Sequence, residues 1–290
     1  MRFPFAQFEI PGTLGLADGR YLVRDAAGEA DDVIVVTSIG APRRGRRRRP
    51  RRAPDAGGAR DAEPLPATRV TIVRADPLDG EEAAATWLDR LRGDVDARDE
   101  FAADALALLN RSLHVHRAAT MDPYVSELGP HDPAATRVGF GDGAKLADGE
   151  WTEAIDAPPD PGRRERRVDA LRPQERLAAV LGGKERVDAC ETLVLRSRLD
   201  LDHGRAREAA LGLETATAAM LAELGDGGNA DQQADLAEIR ERTEELARAR
   251  TEALAGELTE ASAEAVAETL AVAERILRRR RILGGRPSAP

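Results

Sequence analysis

The sequence predicts an α+β protein, with a small β-rich N-terminal module followed by an all-helical C-terminal part. Segments that alternate apolar and polar residues or are rich in β-branched residues occur before residue 76 and near 136–155, as expected of strands. Apolar residues at helical spacing dominate from 163 to 282. Aromatic residues make up only 3% of the chain, so the core must be built mainly from Ala, Leu and Val, which favours helical packing.

Four strands are predicted before residue 76, near 5–10, 19–25, 32–39 and 67–75. The first (FAQFEI) alternates and ends at a Pro-Gly pair, and the second follows the Asp-Gly pair of a hairpin turn. The third (DVIVVTSI) is mostly β-branched and apolar, which is the pattern of a buried strand. Residues 41–66, between the last two strands, are rich in arginine and proline and predict a disordered loop inserted into the sheet.

A pair of helices and a second β segment follow. Residues 79–93 begin with acids, which suit the positive end of a helix dipole, and residues 97–121 carry a longer apolar stripe. Near 136–155, the pairs Asp142-Gly143 and Asp148-Gly149 predict a β-hairpin or a meander of three segments. If both β segments belong to one sheet, residues 1–157 form a single α+β domain.

Residues 163–282 are predicted to form a helical domain, either a bundle or a short α-solenoid. Glycines divide it into helices near 164–181, 186–202, 205–224, 231–255 and 260–281. Small residues around Gly204 approach the spacing of a tetratricopeptide repeat, but no second copy follows, so this part is interpreted as one helical hairpin. Residues 283–290 are predicted to be a disordered tail.

The charge distribution is uneven. The net charge is −9, yet eight arginines stand within ten residues, and without them the net charge would be −17. A basic loop on an acidic body is compatible with non-specific binding of a polyanion such as nucleic acid or the ribosome. The candidate residues are Arg43, Arg44, Arg46, Arg47, Arg48, Arg49, Arg51 and Arg52. The favoured interpretation is nevertheless a solvated, variable linker, because a GC-rich genome, as in some bacteria, enriches arginine throughout a chain.

One motif points to catalysis. In RSLHVH, Arg111 and His116 are separated by four residues, a pattern that resembles the Arg–His motif of HEPN-type ribonucleases, which have an all-α fold. The resemblance implies that Arg111 and His116 would be the catalytic pair. Arg196 and Arg198 stand at similar distances before His203, so the spacing occurs more than once in the chain.

No other local motif indicates an enzyme, a cofactor or a metal. His114 and His116 are two residues apart, so on a helix they point about 200° apart and cannot share a metal ion. The glycine-rich segment 139–143 lacks the Gly-Lys-Ser/Thr ending of a phosphate-binding loop. The single cysteine, Cys190, is predicted to be a buried core residue, and a single cysteine cannot form an intramolecular disulfide.

The sequence therefore favours a non-catalytic interaction or regulatory protein that binds a protein partner through its helical C-terminal block. Polyanion binding through 43–52 and a HEPN-like ribonuclease remain the alternatives. No stretch approaches the length of a membrane span and the N-terminus lacks the features of a signal peptide, so we expect a soluble, cytoplasmic protein.

Overall fold

A computed structural model confirms the α+β fold class. The structure describes residues 1–24, 30–40, 66–158, 173–225 and 230–284. The chain divides into two compact units, Met1–Pro159 and Asp160–Pro290. The first contains one antiparallel sheet with helices, and the described elements of the second are all helical.

The sheet of the first unit has the strand order β2-β3-β4-β1-β5-β6, and every neighbouring pair is antiparallel. The strands are β1 Phe3–Pro11, β2 Gly19–Arg24, β3 Ala30–Ile39, β4 Ala67–Arg74, β5 Ala135–Gly141 and β6 Glu153–Asp156. All four early strands lie close to their predicted positions, and the second β segment joins the same sheet. Because β1 pairs with both β4 and β5, it connects the early strands to the later ones.

Two helices, α1 (Gly80–Gly93) and α2 (Val95–Thr120), cover one face of the sheet. Alternate residues of the strands, including Phe8 and Ile72, form a buried core with leucines of these helices such as Leu109. The side chain of Asp94 caps α2 by accepting a hydrogen bond from the backbone N–H of Ala97 at 3.1 Å. The helix ends at Met121, which has the left-handed φ of 54° that a helix C-terminus often requires.

The opposite face is crossed by residues 142–152, named here the covering segment, which contains the short helix α3 (Gly143–Leu146). Leu146 packs against Phe5 and Val73 on this face. The predicted 136–155 hairpin is thus only partly right, since β5 and β6 pair but neither Asp-Gly pair forms a tight turn between them. Asp142 precedes α3, and the Asp148-Gly149 pair follows it, with φ of 83° at Gly149.

Glycines on β5 allow β6 and the covering segment to approach this strand closely. A Cβ atom at Gly139 would lie 2.2 Å from the backbone oxygen of Glu153, and one at Gly141 would lie 2.8 Å from a methyl carbon of Leu146. The glycine-rich segment that lacks a phosphate-loop ending is therefore explained by close packing.

The described part of the second unit contains six helices, and all but the first contribute to an aliphatic core that includes Leu213, Met220 and Leu270. They are α4 Pro173–Leu181, α5 Ala189–Asp202, α6 Ala206–Leu224, α7 Ala230–Glu241, α8 Thr243–Ala255 and α9 Glu260–Gly284. Helices α5 and α6 form the predicted helical hairpin. They approach so closely that a Cβ at Gly212 would lie 2.7 Å from Ser197 Oγ.

Two boundaries differ from the predictions. The segment predicted as one helix, 231–255, is interrupted at Arg242, whose N–H bonds to the Ile239 carbonyl three residues back rather than four. The interruption lets the two halves pack differently, since α7 lies against α9, whereas α8 lies against both α6 and α9. At the C-terminal end, α9 continues to Gly284, two residues into the segment predicted as a tail.

Candidate functional site

The arginines predicted to bind polyanions, 43–52, lie outside the residues that the structure describes. Their segment connects β3 to β4, whose facing ends Ile39 and Ala67 are register partners. The prediction of polyanion binding therefore still depends on the sequence alone.

The predicted ribonuclease pair lies on α2, but the helix does not bring the two side chains together. Residues five apart on an α-helix point about 140° apart around its axis. Arg111 is exposed, whereas His116 is half-buried. The Nε2 atom of His116 lies close to Gly15, because a Cβ atom added to that glycine would be only 3.5 Å from it. The ribonuclease hypothesis remains a prediction from the motif.

His114, beside this motif, takes part in a local structural cluster. Arg117 Nη2 lies 2.8 Å from His114 Nδ1 and donates a hydrogen bond to Glu127 Oε1 at 3.1 Å, and the Glu127 side chain is only 2% exposed. Nearby, the Asn110 side chain bonds to both the N–H and the carbonyl of Leu128. Together these contacts fix the chain that follows α2 against the helix.

A polar cluster that the sequence did not reveal lies on the sheet face under the covering segment. Glu9 Oε1 accepts hydrogen bonds from Arg69 Nη2 at 3.2 Å and Arg137 Nη1 at 3.0 Å. Burial raises the pKa of Glu9, but the hydrogen bonds from Arg137 and Arg69 outweigh burial, so its pKa lies below the ordinary value. The Arg137 guanidinium also lies over the Trp151 ring, 5.8 Å from its centroid.

This arrangement fits a structural role better than proton transfer, because a carboxylate held ionised by two cations is a poor proton donor near neutral pH. Its one signal in the sequence is that Gln7 and Glu9 follow Phe5 at every second position of β1, placing polar residues on an otherwise apolar face.

In the second unit, the arginines near the C-terminal end of α9 form ion pairs with acids of other helices. Arg279 Nη1 donates to both carboxylate oxygens of Asp235 on α7 at 2.7 Å. Arg281 bonds to Glu191 on α5 at 3.2 Å. Two further pairs are Arg275 with Glu238 and Arg280 with Asp188. These arginines hold α9 against its neighbours.

The same end of the second unit contains a cavity of about 280 Å³. It is lined by Asp231, Gln232, Asp235, Ile276, Arg279, Arg280 and Ile282. Both lining arginines already pair with aspartates, Arg279 with Asp235 and Arg280 with Asp188. Because aspartates and arginines line it in equal number, the cavity favours neither an anionic nor a cationic ligand.

Cys190 is fully buried in the core of the second unit, as predicted. Burial, together with the nearby carboxylate of Glu223, raises the pKa of its thiol to about 12, so it is not a thiolate nucleophile at neutral pH. Glu223, from α6, caps the start of α5 by accepting hydrogen bonds from the N–H groups of Ala189 and Cys190 at 3.1 and 3.0 Å. The hydrogen bond from the Cys190 N–H is the main cause that lowers the pKa of Glu223.

Helix α4 differs from the other described helices of its unit because none of its residues is buried. Leu177 is 52% exposed and Leu181 is 78% exposed. Arg176 of this helix donates a hydrogen bond to Glu191 at 2.7 Å and lies 3.4 Å from Glu185. An amphipathic helix with an uncovered apolar side is therefore attached to the unit through a salt bridge.

Among the described residues, no group of three or more histidine, cysteine or acidic side chains is placed to hold a metal ion. Within the same part of the chain, no helix combines the length and apolar character needed to cross a membrane. Comparison with family models, curated proteins and solved structures finds no match for this chain.

Proposed function

We propose that this protein is a non-catalytic interaction module that binds a protein partner through α4 and the start of α5. The observation that supports the proposal is the exposed apolar side of α4. Leu177, Val180 and Leu181 stand at i, i+3 and i+4, the spacing by which short amphipathic helices enter apolar grooves of partner proteins.

Two further exposed apolar residues lie on and just before α5. Glu191, Leu195 and Arg198 are spaced at i, i+4 and i+7 and therefore share one stripe of α5. Glu191 is the residue to which α4 is attached, and Leu195, one turn further along, is 62% exposed. Val187, just before α5, is 51% exposed. Uncovered apolar residues on neighbouring elements are typical of protein-binding surfaces.

Site-specific photo-crosslinking in cells tests the proposal. A photoreactive residue at position 181 should form adducts with a distinct partner, and Leu177→Ser in the same chain should reduce them at least several-fold. The matched control places the photoreactive residue at position 254, since Leu254 on α8 has a similar exposure of 62%. The same adducts from both positions, or none from position 181, would contradict the proposal.

A second function, binding of a polyanion through Arg43–Arg52, is supported by the composition of that segment. Whereas the arginines near the end of α9 are paired with acids, the ten residues from 43 to 52 include eight arginines and no acid. Replacing all eight arginines by glutamine should weaken the binding of RNA and DNA and make it less dependent on salt. In a plot of log affinity against log salt concentration, the slope should become shallower by up to about 0.9 for each phosphate contact that is lost. If the wild type and the glutamine variant bind nucleic acid with equal affinity and with the same dependence on salt, this function is ruled out.

A further inference from the structure

Two buried polar atoms under the covering segment have no hydrogen-bond partner among the described residues. They are Gln7 Oε1 and Arg69 Nε. Gln7 is only 1% exposed, and its Nε2 donates to Thr71 Oγ1 at 3.0 Å, so half of its amide is satisfied and half is not. Buried polar groups in folded proteins are nearly always hydrogen-bonded, so these two unpaired atoms require an explanation.

The two atoms are complementary and belong to neighbouring positions. Gln7 faces Thr71 in the β1–β4 register, and the next same-face pair is Glu9 and Arg69, so Gln7 and Arg69 are diagonal neighbours on one face. Diagonal neighbours have Cα atoms about 7–8 Å apart, within reach of long side chains. One atom is an acceptor and the other a donor, and a single water molecule can donate to the first while it accepts from the second.

The covering segment closes this space from above. A Cβ at Gly149 would lie 3.1 Å from Arg69 Nη1, so the backbone of the segment rests directly on the guanidinium group. Asp148 also pairs with Arg20 on β2 at 3.3 Å. A small polar space with both a donor and an acceptor retains water, unlike an apolar cavity.

We propose that the sheet face under the covering segment contains a specific site for one ordered water molecule, bridging Gln7 Oε1 and Arg69 Nε. The water completes the hydrogen bonds of Arg69, whose Nη2 holds Glu9 and whose Nη1 supports the covering segment. It thereby links the sheet to the segment that crosses it, and it can exchange with solvent only when this contact opens.

A high-resolution crystal structure of the full chain tests the site. The expected result is a density peak within about 2.7–3.2 Å of both Gln7 Oε1 and Arg69 Nε. A density map without this peak, a peak bonded to only one of the two atoms, or a direct protein partner for Arg69 Nε would each overturn the proposal.

Matched variants distinguish this site from general hydration. Arg69→Lys keeps the positive charge beside Glu9 but places a methylene where Nε stood, so the peak should disappear. Thr71→Val removes the other partner of the Gln7 amide and should leave the peak in place. If Arg69→Lys does not fold, as judged by tryptophan fluorescence, Gln7→Met takes its place, because it removes the acceptor. A peak that persists in either folded variant contradicts the proposal.

Discussion

The two units of this protein maintain their internal geometry in different ways. In the sheet unit, backbone hydrogen bonds between strands fix the register, and charged pairs such as Arg74 with Asp32 join residues that are already register partners. In the helical unit, each helix satisfies its own backbone, so only side chains can set how helices align. Ion pairs from α9 to α5 and α7 help to provide that alignment. The sheet unit therefore depends on close approach of neighbouring strands, and the helical unit depends on charged contacts between helices in addition to its packed core.

Optical probes can follow the two units separately. Both tryptophans of the chain, Trp87 and Trp151, belong to the first unit, so tryptophan fluorescence reports on that unit. Most of the described helical residues belong to the second unit, so far-ultraviolet circular dichroism is weighted towards it.

The largest effect is expected from Gly139→Ala in β5. The new Cβ would collide with backbone atoms of β6, which cannot move aside without breaking the β5–β6 pairing. We expect a loss of about 3 kcal/mol in the free energy of unfolding, measured by urea titration of tryptophan fluorescence. Gly19→Ala in β2 is the control, because its nearest neighbouring atom would be 4.0 Å away. Equal effects of the two substitutions would contradict the role of close packing.

The next effect is expected from Glu191→Gln in the helical unit. This residue is only 4% exposed and accepts hydrogen bonds from Arg176 and Arg281. The glutamine keeps an acceptor oxygen but not the negative charge, so both guanidinium groups lose their buried anionic partner, and Arg176 keeps only the more exposed Glu185. The expected cost is about 2 kcal/mol after allowance for their exposure. The midpoint of the circular-dichroism transition should move to a lower urea concentration, while the midpoint of the fluorescence transition should move less. Glu264→Gln, at an exposed position of α9, should change neither by more than about 0.5 kcal/mol.

Acid should weaken both units through different carboxylates. The pKa values of Glu9 and Glu223 are lowered by folding, so each contributes stability that is fully present above about pH 4.5 and is lost as pH falls through the lower folded pKa. Glu223→Gln should cost about 0.5–1 kcal/mol at neutral pH, as for a lost helix cap, and should flatten the acid dependence of the circular-dichroism transition. Glu9→Gln should flatten the acid dependence of the unfolding transition that is followed by fluorescence. An unchanged pH profile in either variant would contradict the corresponding assignment.

The smallest effect on stability is expected from Leu177→Ser together with Leu181→Ser. Both side chains are more than half exposed, so the free energy of unfolding should change by less than about 0.5 kcal/mol. Leu213→Ala, in the fully buried core, should cost about 2–5 kcal/mol in the same circular-dichroism measurement. If the α4 variant were as unstable as the core variant, α4 would be a packing element and the proposed docking surface would be wrong.

Local patterns were sufficient for most elements of this fold. The alternation in 5–10 and 67–75 and the β-branched run in 32–39 predicted strands that the structure contains, and the Gly204 turn predicted the α5–α6 hairpin. The break at Arg242 was missed because no glycine or proline marks it and because the bend depends on the helices against which α7 and α8 pack.

The candidate sites were less predictable. Arg111 and His116 attracted attention because their spacing matches a motif, yet spacing along a helix does not show whether two side chains converge. The cluster of Glu9, Arg69 and Arg137 draws on three strands, and no local pattern connects residues so far apart in the chain.

The sequence by itself determined the succession of strands and helices, the acidic charge of the chain and the position of its arginine-rich segment. These properties follow from neighbouring residues, whose periodicity and charge can be read directly. Only the tertiary structure decided that Gly139 makes room for β6, that the arginines of α9 bind acids of other helices, and that α4 keeps its apolar side uncovered. Each of these features depends on residues that are distant in the chain. The packing of the whole unit determines which of those residues come together.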